Sequence, residues 1–541
     1  SIGYYGSIDE LNSTVVPKIG TPYERNNTDE KFPDQSLGRE SYGVNAWIYY
    51  DLKDDIQFTI GAGLQQSDVL TTPVDNPYYA ITRRNIKSNY LDFHAEVKGL
   101  NYQFSYTGGT TDISVTKPQF KTDFGVINNV LEYDWVIKRL TIRPGISYMN
   151  SYSTDEDYVD IENNRGFLNG KKVLVDLGAS LRLDYRLAKL RLVAAGRLDK
   201  YNYPEKIYSS YQLVASYNIN DRHLIRGVVS KANRSPFIVD TYANYDWTVI
   251  PPIAINGNPV LPNGGHFFFN GNKDMKLATM QMFEIGYRVK PLKQIQVDIE
   301  GFYTITKDFS MFGMDSINLR VYMDGFNPGP PPVFTGEPQS FREHATFSYK
   351  NSKVESHQLG VSFDIKTVLT EKLYFKVFGT IQQTKLKNHS PITTEQAGEI
   401  MVSEAIANNR VTFDSMFTPT PDPADWYLIR DYGGSYVKDS LINTNHTHTP
   451  AFYGGFEINY SPGKFNINAS AYTYTKQTLT HSFETVNIDP KFILNLKVSY
   501  KVWKENEVFI NARNAFDNRT KEFGFTDDIG GIYLFGISIR Y

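Results

Sequence analysis

The sequence lacks cysteine, long apolar runs and a strong net charge, and each absence excludes a class of protein. None of the 541 residues is cysteine, which excludes disulfide frameworks, thiolate metal sites and cysteine nucleophiles. No stretch approaches the ~18 to 20 consecutive apolar residues of a membrane helix. With 56 Lys and Arg against 59 Asp and Glu, the net charge is −3, so no basic field favours nucleic acid as a partner.

Aromatic residues, by contrast, are abundant. The chain contains 38 Tyr and 34 Phe, yet its mean hydropathy is −0.40. An aromatic excess without overall apolarity is typical of interfacial girdles around a polar lumen. Because only helices and closed barrels satisfy every backbone group in lipid, any membrane crossing must be by strands. One large barrel is compatible with the length, since strands can be added around a ring without enlarging a core.

Residues 173–187 show the clearest strand pattern. Val and Leu at odd positions alternate with a polar register that includes Asp176, Arg182 and Asp184. A helix would distribute these charges around its circumference, whereas a period of two places them on one face. The pattern resumes after Ala188-Lys189, which predicts a hairpin.

The same hairpin unit recurs along the chain and predicts the fold class. Short turns are expected at Lys53-Asp54-Asp55, Asn220-Asp221, Pro291-Leu292, Glu371-Lys372, Pro462-Gly463 and Lys504-Glu505. The opposite connections, residues 239–280, 311–345 and 388–448, are long and are predicted to be extracellular loops. We therefore expect an all-β, transmembrane antiparallel β-barrel of about twenty strands. The first strand is predicted over residues 2–8 and the last over 531–541.

Five sequence motifs resemble one family. They are Ser-Lys-Ala-Asn-Arg-Ser-Pro at 230–236, Gly-Asn-Lys-Asp-Met-Lys-Leu at 271–277, Phe-Glu-Ile-Gly-Tyr-Arg at 283–288, Asn-Ala-Arg-Asn-Ala-Phe-Asp at 511–517, and the terminal set Gly536, Ile539 and Tyr541. In this order they resemble the barrel of TonB-dependent outer-membrane transporters, of the Bacteroidetes kind. Met275 and Leu277 depart mildly from the Leu and Pro that this family often has there. The terminal set resembles the signal read by the barrel-insertion machinery.

The resemblance implies a function and partners. It implies energised import of a scarce or bulky nutrient through a plugged barrel of ~22 strands in the bacterial outer membrane. The plug, the TonB box and the first strands are expected upstream of Ser1. The implied partners are outer-membrane lipid and lipopolysaccharide, a TonB-type energising complex acting through the plug, and the barrel-assembly machinery. Siderophore, haem, cobalamin, oligosaccharide and peptide all stay open as substrates.

Two loop features suggest a further partner, and two other functions stay open. A short helix is predicted over residues 394–407, and the prolines of residues 328–332 favour a protruding contact. Both could dock a surface lipoprotein. A passive porin, and a scaffold barrel in a surface or secretion-associated complex, are the alternatives to active transport.

The leading candidate ligand site is aromatic. Six residues of the first long loop have no evident strand register to serve: Tyr242, Tyr245, Trp247, Phe267, Phe268 and Phe269. Such rings could form a ligand platform, because they offer large contact area at little entropic cost. They could also pack on one another as the loop's own core.

Charged residues on the polar register of the strands form a second candidate group. They are Arg182, Asp184, Arg288, Asp298, Glu300 and Arg513. Pairing across strands or solvation in the lumen is the simpler interpretation. The family resemblance implies instead that some of them hold the plug.

Metal binding and catalysis find little support, so no metal, cofactor or enzymatic activity is predicted. Met311, Met314 and Met323 could bind Cu(I), but gap-filling is the favoured interpretation. His446 and His448 could chelate Zn(II), although no third ligand is evident. No nucleophile elbow, zinc-protease motif or phosphate loop occurs. Asp155 and Glu156 are expected to be solvated surface.

Overall fold

The computed structural model describes residues 2–7, 39–71, 82–112, 120–159, 166–250, 253–255, 258–261, 263–323, 326–327, 333–334, 338–389, 411–413, 442–480, 485–521 and 528–538. Within these ranges no helix has both the length and the apolar character needed to cross a membrane.

Almost all regular structure in these ranges is β-strand. The first part of the chain forms β1 (Ile2–Ser7), β2 (Arg39–Lys53), β3 (Ile56–Thr71), β4 (Thr82–Val97), β5 (Leu100–Asp112), β6 (Lys121–Tyr133), β7 (Trp135–Ile137), β8 (Leu140–Thr154), β9 (Lys172–Leu187), β10 (Leu190–Tyr201), β11 (Ile207–Asn220) and β12 (His223–Asn233).

The middle part forms helix α1 (Ile238–Tyr242), β13 (Asn244–Ile250), β14 (Ile253–Ile255), β15 (Asn258–Leu261), β16 (Gly265–Asn270), β17 (Thr279–Leu292), β18 (Ile295–Lys307), β19 (Ser310–Met323), β20 (Phe326–Asn327), β21 (Val333–Phe334) and β22 (Pro338–Asn351). The last part forms β23 (Glu355–Thr370), β24 (Leu373–His389), β25 (Val411–Phe413), β26 (Ile442–Asn445), β27 (Phe452–Tyr460), β28 (Phe465–Tyr474), β29 (Gln477–Thr480), β30 (Thr485–Ile488), β31 (Lys491–Trp503), β32 (Asn506–Arg513), β33 (Thr520–Lys521), β34 (Asp528–Ile529) and β35 (Ile532–Ser538).

Twenty-two of these segments join in one sheet, which we call the main sheet. Two segments do not add a strand of their own. β6 and β7 pair with successive parts of β8, and β26 and β27 pair with successive parts of β24, so each of these pairs counts as one strand. The described main sheet therefore has twenty strands, and each pairs antiparallel with the next one of the sheet along the chain. This confirms the predicted fold class and the predicted count.

The two faces of the main sheet differ in polarity, as period-two alternation requires. In β9, Leu177 and Leu181 are 54% and 46% exposed, whereas Asp176 and Asp184 are 6% and 9% exposed. We call the side that carries the leucines the apolar face, and the other the polar face. Water would disfavour this arrangement, because it exposes leucine and buries carboxylate. The apolar face therefore suits a hydrocarbon solvent.

The fully packed residues lie mostly at one end of the main sheet, where the long connections are; we call this the long-connection end. Leu168, Phe267, Leu277, Phe347 and Ile488 are all less than 9% exposed, and all lie outside the main-sheet strands. The short hairpin turns lie at the other end. The long connections thus carry a small core of their own, as long ordered loops require.

The hairpins form as predicted, but several turns are displaced. Ala188-Lys189 and Glu371-Lys372 are the turn residues expected. The turn expected at Pro291-Leu292 lies instead at Lys293-Gln294, because β17 continues through Leu292. A break in the pairing between Val289 and Leu292 accommodates the proline, which has no N–H to donate.

Candidate functional site

Strands from all three long connections meet in a second sheet, which we call the cap sheet. Its order is β13, β16, β22, β19 and β25. β16 runs parallel to β22, and β19 runs parallel to β25. Parallel neighbours come from segments separated by a long stretch of chain, so their pairing could not be read from a local pattern. The expectation that the six aromatic residues of the first long connection have no strand register was therefore wrong for the five that lie in β13 and β16.

The predicted aromatic residues acquire their register in the cap sheet. Tyr245 on β13 lies opposite Phe269 on β16, with ring centroids 4.3 Å apart and planes inclined by 3°. Phe269 stacks in turn on Phe347 at 5.2 Å. Phe267 and Phe347 are 6% and 7% exposed. This side of the cap sheet is a packed aromatic core, extended by Phe120 and Phe167 against Tyr245 at 5.7 and 5.1 Å.

The other predicted aromatic residues have separate surroundings. Phe268 points to the opposite side of the cap sheet, where its ring lies 6.2 Å from His266 and 5.7 Å from His344. Tyr242 ends α1, and its hydroxyl donates to the Val173 carbonyl over 2.7 Å. Burial raises the pKa of Tyr242. The backbone of Trp247 pairs with Phe267, while its side chain lies outside the described residues. The five whose side chains the structure describes do not form one surface.

Asp155 corrects a second expectation. Its side chain is 0% exposed and accepts backbone N–H bonds from Leu168 (2.7 Å), Asn169 (3.1 Å) and Gly170 (2.8 Å). A buried carboxylate is tolerated when several donors surround it. Asp155 therefore closes the connection between β8 and β9, while its neighbour Glu156 is exposed as expected and accepts from the N–H of Lys171.

The charged residues predicted on the polar register do lie on the polar face. Arg182 lies 3.8 Å from Asp184, and Arg288 Nε donates to Asp298 over 2.5 Å. Arg513 lies on β32 opposite Ile532. Asp184 also binds Arg191 through two hydrogen bonds of 3.0 and 2.6 Å. Most of these charges are thus engaged in ion pairs with neighbouring strands.

The sequence prediction missed the central member of one ion-pair cluster, Arg226 on β12. One of its terminal nitrogens, Nη2, binds Glu284 and also Glu300, the latter over 2.5 Å. The guanidinium crosses β17 at Gly286, which pairs directly with Arg226 and with Glu300. A Cβ added at Gly286 would lie 3.6 Å from Arg226 Nε and 3.7 Å from its Nη2, which are ordinary contacts, so these ion pairs do not depend on glycine at that position. The sequence did contain a signal for this cluster. Gly286 lies directly between an arginine on one neighbouring strand and a glutamate on the other.

Arg197 also reaches across a glycine of the neighbouring strand. It pairs its Nε with Asp199 over 2.6 Å and its Nη2 with Ser147 over 2.8 Å. The strand between them contributes Gly178, where an added Cβ would lie 2.4 Å from Arg197 Nη2 and 2.4 Å from Ser147 Oγ. Arg197 also reaches Asp176 at 3.5 Å. At Gly178 the missing side chain makes room for the guanidinium, which lets one cation join three strands.

A cavity of about 480 Å³ lies on the polar face, where the main sheet meets the start of the cap sheet. Its wall combines residues of β19, β23 and β24 with the connections between β18 and β19, between β22 and β23, and between β26 and β27. The lining residues are Phe309, Ser310, Met311, Ser352, Val354, Ser356, Gln358, Thr384, Leu386, His446 and Thr449. We call it the inner pocket.

The inner pocket brings together residues that the sequence suggested for two different metals. Met311 and His446 both line it, and the His446 and His448 rings have centroids 4.6 Å apart. His446 Nδ1 lies 3.1 Å from Thr449 Oγ1. No group of three or more His, Cys, Asp or Glu side chains able to hold a metal occurs in the part of the chain that the structure describes. The side chains of Met314 and Met323 lie outside that part.

Comparison with known proteins assigns the fold to a family. The model of the family described as TonB dependent receptor-like, beta-barrel matches residues 3–515. The chain belongs to the TonB-dependent receptor family. It is an outer-membrane β-barrel, so its apolar face contacts lipid and its polar face lines the lumen. None of the curated proteins compared with the receptor matches it.

Solved structures of similar fold include receptors for different ligands. The siderophore receptor PirA from Acinetobacter baumannii is 10% identical with a TM-score of 0.58, over 92% of this chain and 70% of that one. A variant of the ferric enterobactin receptor PfeA from Pseudomonas aeruginosa is 10% identical with a TM-score of 0.61, over 92% and 69%. The copper transporter OprC is 12% identical with a TM-score of 0.57, over 92% and 71%. At these identities the similarity concerns the fold alone.

Two motifs that resembled the family have clear structural roles in the receptor. Asn514, 1% exposed and with a φ of 49°, donates to the Asn518 carbonyl and accepts from the Asn518 N–H, closing the turn after β32. Gly271 packs against the end of α1, where an added Cβ would lie 2.4 Å from the backbone nitrogen of Tyr242. Asn272, next to it, donates to the Tyr349 carbonyl over 3.0 Å. Both motifs thus shape connections between strands.

The two sides of β35, the last described strand, differ as period-two alternation predicts. Phe535 and Ile537 are 74% and 64% exposed on the lipid side. Gly536 points to the lumen, and Phe509 of the neighbouring strand fills the space above it. Ile539 and Tyr541, the other members of the predicted insertion signal, lie outside the described residues. So do the predicted helix at 394–407 and the prolines at 328–332.

Proposed function

We propose that this receptor imports a scarce or bulky nutrient across the outer membrane, driven by a TonB-type energising complex. The family match over residues 3–515 is the observation that carries the proposal. Similar folds serve a siderophore receptor and a copper transporter, so the fold itself leaves the cargo open. Import through a receptor of this family does not require a catalytic residue.

We propose that residues 239–280, 311–345 and 388–448 are extracellular and capture the ligand. The cap sheet supports this, because it joins strands from all three segments over one end of the barrel. Among the six candidate aromatic residues, Phe268 suits ligand contact best, since its ring lies beside His266 and His344 on the side away from the packed aromatic core. The packed rings of Tyr245, Phe267 and Phe269 would support that surface rather than touch the ligand.

We propose further that lumen charges contact a plug domain through which force is transmitted. Arg182 and Arg288 remain 43% and 44% exposed although each has a carboxylate neighbour. A guanidinium has five donors and can bind a further acceptor while keeping its first partner. Asp184 would then hold Arg182 in position and Asp298 would hold Arg288, while Glu300 would do the same for Arg226. Arg513 lies on the same polar face, on β32 beside β35.

We propose the remaining partners from the location of the barrel in the outer membrane. The barrel-assembly machinery would read Gly536, Ile539 and Tyr541, and lipopolysaccharide would surround the outer rim. A surface lipoprotein docked on the long connections is part of the same proposal.

The test is depletion of compounds from a complex medium, followed by mass spectrometry. Cells that carry the receptor are compared with cells that lack it, with cells that lack TonB and with cells treated with a protonophore. Compounds removed only when receptor, TonB and proton-motive force are all present support active import. Removal that survives the protonophore indicates a passive porin. No receptor-dependent compound, with other outer-membrane proteins co-purifying stably, indicates a scaffold.

A further inference from the structure

A broad groove of about 1310 Å³ crosses the apolar face of the main sheet between β9 and β24. Gly227 and Gly301 line it, and both pair with Ile285 of β17. An added Cβ would meet no described atom within 4 Å at Gly227, and at Gly301 only Ile285 Cγ2 at 3.7 Å. Among the described residues, no close neighbour therefore requires a glycine at either position. The groove is open space on the side that faces lipid.

The groove leads to basic side chains at the long-connection end. Its lining there consists of one residue from each of β18, β23 and β24: Tyr303, Leu359 and Gln383. These three pair in register, and every second residue of a strand lies on the same face. The next row on the apolar face is therefore Ile305, His357 and Lys385, and the last row is Lys307, Glu355 and Lys387. Over about 13 Å of strand, an apolar surface becomes a basic one.

Five residues of these rows form a surface that we call the basic rim: Lys307, Glu355, His357, Lys385 and Lys387. The Tyr303 hydroxyl lies 2.6 Å from His357 Nδ1, and His357 Nε2 lies 3.2 Å from Glu355 Oε2. The other carboxylate oxygen, Glu355 Oε1, forms an ion pair with Lys307 Nζ at 2.9 Å. The carboxylate of the basic rim is thus already paired.

Lys385 and Lys387 differ, because neither forms an ion pair with a residue that the structure describes. Both are exposed. Lys387 lies opposite Glu355 in the strand pairing, but that carboxylate binds Lys307 instead. A charge on the lipid-facing side is costly in hydrocarbon and is tolerated near the interface. These two ammonium groups therefore lie at the level of the headgroups, where lysines attract anionic lipid.

The separation of the groove from these lysines matches the dimensions of a lipid. Ile381 lines the groove, and Lys387 follows it by six residues on the same strand, a distance of about 20 Å. With a strand tilt of about 40°, this corresponds to about 15 Å of height, slightly more than half of an apolar band about 25 Å tall. A lipid with its chains in the groove would place its headgroup beside the lysines.

We infer that the groove and the basic rim together bind one lipid with several acyl chains and an anionic phosphate headgroup, the chemistry of the lipid A part of lipopolysaccharide. The acyl chains fill the open space over Gly227 and Gly301. The phosphate lies between Lys385 and Lys387. The inference rests on the proposed extracellular position of the long connections, because that position places the basic rim in the outer leaflet.

Other occupants fit less well. A neutral lipid would fill the groove but leave Lys385 and Lys387 without an anion. Free phosphate would pair with the lysines but leave the groove unused. An imported nutrient passes through the lumen, on the opposite side of the wall from the groove.

The test is native mass spectrometry of the purified full chain in detergent, titrated with bisphosphorylated lipid A. Dephosphorylated lipid A and inorganic phosphate are the comparison probes. One saturable lipid A adduct is expected. Replacing both lysines, Lys385→Gln with Lys387→Gln, should weaken its binding about 30-fold. Dephosphorylated lipid A should bind the parent protein as weakly as lipid A binds this variant.

The matched control for charge is Lys293→Gln with Lys372→Gln. Both lysines are exposed and lie in the turns at the other end of β18 and β24. This variant loses the same charge and should bind lipid A as the parent does.

A second pair of variants tests the groove. Gly227→Leu places a side chain in the open space and should weaken lipid A binding about tenfold, because the acyl chains lose that space. Gly196→Leu is its control. Gly196 of β10 also has no described atom within 4 Å of an added Cβ, and it is not one of the residues that line the groove. This variant should retain the affinity.

Three results would overturn the inference: equal binding of dephosphorylated lipid A, displacement of the lipid by inorganic phosphate, or unchanged binding in the Lys385 and Lys387 variant. TonB-dependent uptake in cells is a separate measurement. Uptake that persists when no lipid binds would leave the import proposal intact, and lipid binding without uptake would overturn only that proposal.

Discussion

At the scale of residues, arginines that reach across a glycine of the neighbouring strand join the charges of the lumen. Arg226 reaches Glu284 and Glu300 across Gly286, and Arg197 crosses its neighbour at Gly178. A larger residue at Gly178 would occupy the space of the guanidinium. These ion pairs hold strands together on a face that has no apolar core, and they offset the cost of placing carboxylates as buried as Glu284, whose side chain is 9% exposed.

Arg226→Met should therefore destabilise the barrel by about 2 to 4 kcal/mol, because it leaves the Glu284 carboxylate buried without its cation. The free energy of unfolding, measured by urea titration in lipid vesicles, checks this value. Arg288→Met is the matched control, since the Arg288 and Asp298 side chains are 44% and 27% exposed. It should cost less than about 1 kcal/mol. Equal losses in the two variants would contradict the assignment.

At the scale of elements, single polar side chains fix the connections that the strands themselves do not determine. Asp155 gathers three backbone N–H groups between β8 and β9. Asn514 closes the turn after β32, and Asn351 joins the Lys276 backbone to the end of β22. Each is a short side chain that can form more than one hydrogen bond. Such a side chain can bind the backbone N–H and C=O groups of a connection, which have no partner strand.

Asp155→Ala should release the connection around Leu168. The amides of Leu168, Asn169 and Gly170 would lose their acceptor, at a local cost of about 2 to 3 kcal/mol. Amide hydrogen exchange followed by mass spectrometry should then quicken about 30-fold or more in this segment. Asp157→Ala, at an exposed position two residues away, should leave exchange there unchanged. Unaltered exchange in the Asp155 variant would refute the role.

At the scale of the whole molecule, the solvent decides which side of the sheet is outside. Ile285 is 67% exposed and Phe535 is 74% exposed, values that water would disfavour across so large a surface. Lipid makes this exposure favourable. The polar face then becomes the interior, and ion pairs take the place that an apolar core has in a soluble protein.

Ile285→Lys should lower the free energy of unfolding in vesicles by about 2 to 4 kcal/mol, because it places a charge in hydrocarbon. Leu292→Lys is the control on the same strand: Leu292 is 57% exposed but lies beside the hairpin turn. Near the interface the cost should be about 0 to 1 kcal/mol. The free energy of unfolding of both variants is measured in vesicles of the same lipid. Equal losses in the two variants would argue against a lipid-facing wall.

Part of the candidate site could be predicted from the sequence and part could not. The polar register of Arg182, Asp184, Arg288, Asp298, Glu300 and Arg513 followed from alternation, because every second side chain of a strand shares a face. The surroundings of Phe267 and Phe269 did not follow, since their packing depends on Phe347 from another connection. Asp155 was misjudged because its three partners lie 13 to 15 residues away.

Period-two alternation and the turns between neighbours were enough to predict the strands of the main sheet, their number and their two faces. How the long connections combine depends on contacts that form only in the folded molecule. The parallel pairs of the cap sheet, the aromatic core and the inner pocket join segments far apart in the chain, and no local pattern encodes such contacts. The alternation of β35 could be predicted from its own residues, whereas the inner pocket exists only where β19, β23 and β24 meet the connections beside them.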